Sequence, residues 1–407
     1  MDQISYRPEP GAETTPAEYV PTVVIGGGQA GLVMGYHLQR AGERFVILES
    51  TPRVGDSWRR RWDSLRLFSF PRYASLPGWR ISVPTFPTRD EMADYLEAYV
   101  EHFDLPVRCD VRVDRLSRDG DDFLLELSAA GRPSTNGQSS TTSPRRYLRA
   151  GRVILATGAC QDPWTPGFAG ELKPSIRQLH SVDYRNPSQL SGDVLIVGAG
   201  NSGADIGLEA VRAGHRTWIA GRHPGQVPVR IESGRARIAI PLIMFFFRRV
   251  LTLDTPMGRK AKLQMQGHAV PLVRNKIEDL DAAGIVRLGR IAGVVDGKPL
   301  TADGEVLDPD TIVWCTGFRP DFSWIDLPVL GADGELDHNR GVSAVPGLFF
   351  LGQEFQYAAA SATIQGLNQD ARYLMRMLLP HSATTHPETT SSTDVDDLEV
   401  VRITVAG

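Results

Sequence analysis

Two glycine turns constrain this chain more than any other feature. The stretch VVIGGGQAGL sets Gly26, Gly28 and Gly31 behind a short apolar strand, and VLIVGAGNSGADIG sets Gly198, Gly200 and Gly203 behind another. Each turn has the spacing G-x-G-x-x-G and is followed by a helix-like segment, which is the pattern of a dinucleotide-binding βαβ unit. Glycine-rich turns also occur simply to let a helix pack close to a strand. Two in one chain, each between strand and helix, point to nucleotide binding at both, and to an α/β protein with two Rossmann-like domains.

The two units run in register. From Gly26 to Glu49, at the end of FVILE, is 23 residues, and from Gly198 to Gly221, at the end of TWIAG, is also 23. Glu49 stands where a carboxylate accepts both hydroxyls of an adenosine ribose. The second unit lacks that carboxylate, and Arg222 and His223 follow at once. A carboxylate there would repel a 2′-phosphate, whereas a guanidinium grips one bidentately. The first site therefore suits a dinucleotide with a free ribose, FAD or NAD, and the second suits NADP.

Charge and cysteine usage narrow the classes. A net charge of −4, without basic runs interleaved with aromatics, disfavours nucleic acid as a partner. The cysteines, Cys109, Cys160 and Cys315, include no C-x-x-C pair, which argues against a dithiol redox centre and for a reducing, cytoplasmic setting. Neither they nor the histidines show zinc spacing, so no metal is expected. The acidic, Pro-rich start does not read as a signal peptide. The most apolar run, Ile238–Phe247, is too short to span a bilayer and is followed by Arg248 and Arg249, so no transmembrane segment is expected.

Along the chain, residues 1–20 read as a disordered leader and 381–407 as a disordered tail. Strand signals at Thr22–Ile25, Phe45–Leu48, Val107–Val113, Phe123–Leu127 and Val153–Ala156 alternate with helical stretches such as Gly31–Ala41 and Asp90–Phe103. The polar stretch Ala129–Arg145 reads as a long loop joining two antiparallel strands.

Further motifs complete a pattern. Gly55 and Trp58 stand as G-x-x-W, and both VILATGA (Val153–Ala159) and TIVWCTGFRPD (Thr311–Asp321) are strands ending in Thr-Gly. With the two glycine turns, these motifs resemble the class B flavin-dependent monooxygenases, most closely the bacterial branch related to YUCCA enzymes and CzcO-type oxidoreductases. The resemblance runs from about Pro21 to Leu379. That family carries the fingerprint F-x-G-x-x-x-H-x-x-x-[YFW]; here Phe168, Gly170, His180 and Tyr184 fit it, but nine residues rather than three separate glycine from histidine. An extra turn or so of chain is expected to loop out there. His180 is either a catalytic residue or an orienting one between domains.

The resemblance implies a discontinuous FAD domain, residues 21–160 and 308–379, around an NADPH domain of residues 161–307. The FAD site would take Gly26, Gly28, Gln29, Ala30, Gly31 and Glu49 from the first unit. Ser57, Trp58 and Val111 would join from the next stretch, with Thr157, Gly158, Gly352 and Gln365 from the returning segments. Small residues from Ala358 to Ala362 would let backbone approach the flat flavin. The NADP site would take Gly198, Gly200, Asn201, Ser202 and Gly203, with Arg222 and His223 at the 2′-phosphate.

The activity so implied is an NADPH- and O2-dependent FAD monooxygenase, whose C4a-(hydro)peroxyflavin oxygenates a small organic substrate at N, S or C. A reductase passing electrons to a protein or quinone, and a non-enzymatic cofactor-binding module, are the alternatives. The apolar insert of residues 235–270 exceeds what nucleotide binding needs. It is expected to be helical, as core, a homodimer contact, a substrate channel or a membrane-surface contact.

Overall fold

The computed structural model describes residues 17–129, 146–230, 233–234, 236–265, 270–379 and 399–400. Strand β1 (Glu18–Ile25) leads through the first glycine turn into α1 (Gln29–Arg40) and back into β2 (Phe45–Leu48). A four-residue helix α2 (Asp56–Arg59) and the longer α3 (Arg89–His102) follow. The start of α3 is specified locally: Glu91 N–H donates to Thr88 Oγ1 and Thr88 N–H to the Glu91 carboxylate, a reciprocal cap. Its buried face, Met92, Tyr95, Leu96 and Tyr99, has helical spacing.

The chain continues through β3 (Val107–Arg108), the hairpin β4 (Val111–Asp119) and β5 (Asp122–Ala129), and the long β6 (Arg146–Leu155). The strand expected over Val107–Val113 is two strands, because Asp110 takes φ 58° and breaks the ladder. Strands β5 and β6 are antiparallel, as expected of the flanks of the polar stretch; residues 130–145 lie outside the described chain. The central order is β6-β1-β2-β3, all parallel.

A second sheet holds β7 (Arg177–His180), β8 (Val194–Val197), β9 (Thr217–Ala220), β10 (Val286–Leu288) and β11 (Thr311–Trp314), with α4 (Asn201–Arg212) between β8 and β9. Its order, β10-β9-β8-β11-β7, is parallel throughout. Between β9 and β10 lie α5 (Ala236–Phe245), a π-helical turn (Phe246–Val250), α6 (Pro256–Met265) and α7 (Ile277–Ala282). After β11 the chain returns to the first sheet as β12 (Leu348–Phe350), parallel to β6, and ends in α8 (Ile364–Leu378) against α1.

The two units copy each other beyond the glycine turns. In the first, Gly31 and Gly35 leave no room for a side chain: an added Cβ would lie 1.8 Å from Gly26 O and 2.7 Å from Ile47 Cδ1. In the second, Gly203 and Gly207 stand likewise, 1.9 Å from Gly198 O and 2.9 Å from Ile219 Cδ1. Each helix thus lies directly on its sheet.

Four expectations are corrected. Strand β1 begins at Glu18 inside the expected leader, because Glu18–Val20 pair with Leu148–Ala150; residues 1–16 lie outside the described chain. Glu399–Val400, within the expected tail, pair with Trp79–Arg80, and the rest of residues 381–407 lies outside the described chain. The boundary at residue 308 falls too early, since β11 is hydrogen-bonded inside the second sheet as far as Trp314. The extra residues of the fingerprint do not loop out: Leu172 and Ile176 are buried in the second unit's core and Arg177–His180 is an edge strand.

Candidate functional site

The first cradle lies at the carboxyl ends of β1 and β6. Gly26 takes φ 110°, and a Cβ there would lie 2.5 Å from Ala156 O, so the turn fits only against the end of β6. This contact places Thr157 and Gly158 beside it. Helix α1 makes its first backbone bond from Leu32 to Gly28, which leaves the N–H groups of Gln29, Ala30 and Gly31 without a helical acceptor. Its cap residue Gly28 has no side chain to supply one, and a Cβ on Gly28 would meet nothing within 4 Å. Open space and free donors at a helix start suit a pyrophosphate.

Glu49, just past β2, is held by Gly27 N–H at 2.8 Å and by the Thr51 N–H and hydroxyl at 2.7 and 2.8 Å. Both Thr51 bonds fall on Oε1, so Oε2, with the single bond from Gly27, retains lone-pair capacity for a ribose hydroxyl. Val111 N–H donates to Glu49 O, 3.0 Å away, and is thereby brought to the same edge. Ser57 is exposed and Trp58 half-buried on α2, whose preceding Gly55 is pressed onto Ala93 of α3. Gly352, with φ 87°, closes the cradle: a Cβ would lie 3.2 Å from Ala30 Cβ and 3.4 Å from Leu367 of α8. At the start of α8, Gln365 Oε1 is buried without a partner. Orphaned polar atoms of this kind fit a polar cofactor edge.

The second cradle repeats the first. Gly198 takes φ 118°, a Cβ on it would lie 2.2 Å from Cys315 O, and α4 begins bonding with Ala204 N–H to Gly200. The backbone N–H groups of Asn201, Ser202 and Gly203 are therefore the free donors. The Asn201 side chain is already used, donating to Val270 O and Pro271 O and accepting from Val273 N–H. Gly221 replaces the carboxylate, and a Cβ there would sit 3.1 Å from Ala199 N. Arg222 is exposed. Beside it is a cleft of about 130 Å³ lined by Ala199, Gly221, His223, Leu280, Arg287 and Leu288. His223 Nδ1 accepts from Gly225 N–H, so Nε2 carries the proton, and that donor is buried without a partner.

Both glycine turns fall within stretches that match known protein families. A family model described as pyridine nucleotide-disulphide oxidoreductase matches residues 23–230, and a second of the same description matches residues 127–362. The chain belongs to this family. Within it, the chain falls among the flavin-dependent monooxygenases, whose cofactors are FAD and NADPH. It is 35% identical to an uncharacterized CzcO-like oxidoreductase of Geobacillus kaustophilus, over 89% of this chain and 99% of that one. It is 26% identical to the probable indole-3-pyruvate monooxygenase YUCCA7 of Arabidopsis thaliana, over 81% and 82% of the two chains. A flavin-containing monooxygenase from Stenotrophomonas maltophilia shares the fold with a TM-score of 0.70 and 28% identity, over 90% of this chain and 100% of that chain.

Between the cradles of this oxidoreductase, the linker fingerprint acts at two points. His180 is 6% exposed; its Nδ1 accepts from Val182 N–H at 3.2 Å, so Nε2–H donates to Gly317 O at 3.0 Å. Burial lowers its pKa and keeps it neutral, and both ring nitrogens are engaged. Tyr184, fully buried, donates to Glu209 of α4 at 2.9 Å. Gln161, which carried no sequence signal, donates to Thr157 Oγ1 and Gly158 O and accepts from Asp321 N–H, tying the two Thr-Gly returns together. Arg287 was also missed; it lines the second cleft while paired with Asp281 at 2.8 Å.

The apolar insert is joined to the segment that precedes α8. Leu253 N–H donates to Tyr357 O, Ala359 N–H to Leu251 O, and the Tyr357 hydroxyl to Asp254. Ala358, Ala360 and Ser361 are buried by this contact and by Gly366, whose added Cβ would lie 2.0 Å from Ala360 O. Their small size therefore also serves packing within the chain.

Proposed function

We propose that this chain is an NADPH- and O2-dependent monooxygenase that holds FAD on the glycine turn Gly26–Gly31 and NADPH on Gly198–Gly203. The observation that carries the assignment is the exchange of Glu49 for Gly221 and Arg222 at equivalent ends of β2 and β9. A carboxylate selects a ribose with both hydroxyls free, and its replacement by glycine followed by a cation selects a 2′-phosphate. Bound at the first turn, FAD would supply hydride acceptance from NADPH and activation of O2, the chemistry by which, with one proton, one oxygen atom enters a substrate and the other leaves as water.

The chain's own residues bind, orient and exclude water. The free N–H groups at the starts of α1 and α4 receive the pyrophosphates. Thr157, Gly158, Gly352 and Gln365 bracket the flavin, and the buried orphan Oε1 of Gln365 supports that placement. His180 is a positioning residue, since its ring holds the Gly317 turn and keeps no nitrogen for proton transfer. The FAD domain comprises residues 21–160 and the chain after Trp314, with the NADPH domain between. The setting is cytoplasmic, in keeping with cysteines 109, 160 and 315 all being free.

The substrate is a small amine, thioether, heteroaromatic ring or ketone, as the monooxygenase relatives suggest by analogy. Turnover of such a panel under ¹⁸O2 tests the activity: one labelled atom in a product supports it. Hydrogen peroxide formed in step with NADPH oxidation across the whole panel, with no labelled product, would leave a reductase instead.

A further inference from the structure

Helix α5 carries apolar side chains on the face turned to solvent. Its inner face is ordinary: Ala236 and Ile240 are buried and pack with Phe86, Phe70 and Tyr73. On the outer face Ile238, Leu242 and Phe245 recur at i, i+4 and i+7, with exposures of 80%, 68% and 59%. Phe246 prolongs this stripe into the π-helical turn, which carries the exposed Arg249. Helix α6 adds Met257 and Leu263, 54% and 75% exposed. A helix apolar all round is normally buried. Six of the 14 exposed large hydrophobic residues among the described residues lie in the one stretch from Ile238 to Leu263, a concentration rather than a scatter.

Charge indicates what covers it. Residues 236–265 contain Arg237, Arg248, Arg249, Arg259, Lys260 and Lys262 against the single acid Asp254, in a chain whose net charge is −4. Arg249, Arg259 and Lys260 are exposed, and Asp254 already accepts the Tyr357 hydroxyl. A second copy docking the same face about a two-fold axis would set cations against cations. An anionic surface would meet them with opposite charge.

We propose that the outer face of α5 and α6 docks on an anionic lipid surface. The geometry is interfacial: α5 and the π-helical turn together are ten and five residues. At ~1.5 Å per residue they span about 22 Å, short of a ~30 Å hydrocarbon core, and no described helix is long and apolar enough to cross. Ile238, Leu242 and Phe245 enter the headgroup and acyl boundary while Arg249, Arg259 and Lys260 engage the headgroups.

The test is co-sedimentation of the full FAD-loaded protein with vesicles of phosphatidylcholine alone, and of phosphatidylcholine and phosphatidylglycerol in equal parts. Binding to the mixed vesicles, weakened by added salt, is expected. Arg249→Glu and Arg259→Glu should each lower the partition coefficient by about fivefold or more. Leu242→Glu with Phe245→Glu should abolish binding, while flavin absorbance and melting temperature, insensitive to exposed side chains, stay at wild-type values. Equal sedimentation with and without vesicles, or binding indifferent to these variants, would overturn the proposal. So would a dimer in sedimentation velocity that Phe245→Glu dissociates in a protein that ignores vesicles, since the face would then belong to a second copy.

Discussion

Gly28 and Gly31 are three positions apart and differ in what a methyl group would meet. A Cβ on Gly28 points into open space, whereas one on Gly31 would lie 1.8 Å from Gly26 O. Gly28→Val should therefore fold normally and purify colourless, because its side chain obstructs only the pyrophosphate. Gly31→Ala should lose about 3 kcal/mol or more of stability through backbone overlap. Melting curves and the flavin absorbance of the purified variants check both, and a yellow Gly28→Val would remove FAD from this turn. Arg222→Ala should cost NADPH about ten- to hundredfold in apparent affinity and leave NADH unchanged, as expected for charge-assisted hydrogen bonds worth roughly 1.5–3 kcal/mol. Equal losses for both donors, measured by stopped-flow reduction, would contradict it. The equivalent places of Glu49 and Gly221 at the ends of β2 and β9 were legible in the sequence because a repeat of fixed length gives each position a counterpart. Gln161 and Arg287 were not, since each acts through partners distant in the chain or through a cleft that only the fold creates. The three hydrogen bonds of the Asn201 side chain were equally invisible to spacing.

Among the elements, α8 carries the least comfortable group. Asp370 is 1% exposed, with Oδ2 lacking a partner. Burial raises its pKa to about 6, only partly offset by a hydrogen bond from Ser361 and the charge of Arg340. A carboxyl whose folded pKa lies above its unfolded value favours the fold while protonated, below about pH 4, and that contribution is lost as the pH rises through about 6. Asp370→Asn keeps the shape and removes the titration. Its stability relative to wild type should therefore grow by up to about 3 kcal/mol between pH 4 and pH 7.5, measured by urea unfolding. A difference independent of pH would show that Asp370 does not titrate in this range. The elements themselves were readable where periodicity is strong, as in α1, α3, β8 and β9. They were misread where a single residue decides: Asp110 splits β3 from β4. The fingerprint's extra residues became an edge strand because β11 offered an unpaired edge, which no local pattern announces.

At the scale of the molecule, two copies of one βαβ design face two cofactors, and the chain crosses between them through returns that end in Thr-Gly. The doubly wound plan and its discontinuity were legible, because both glycine turns and both returns are short, local and repeated. The junction was not: the His180 bond to Gly317, the Gln161 bridge and the stitching of Leu251–Leu253 to Tyr357–Ala359 join residues far apart in sequence. We propose that Glu49 and Gly221–Arg222 sort FAD and NADPH to separate sites in one chain, so that a hydride passes without either leaving. Anaerobic titration of the yellow protein with NADPH and with NADH tests it most directly. One equivalent of NADPH should bleach the flavin fully, with NADH slower and requiring excess. Flavin left oxidised by NADPH, or reduced equally well by both donors, would contradict it.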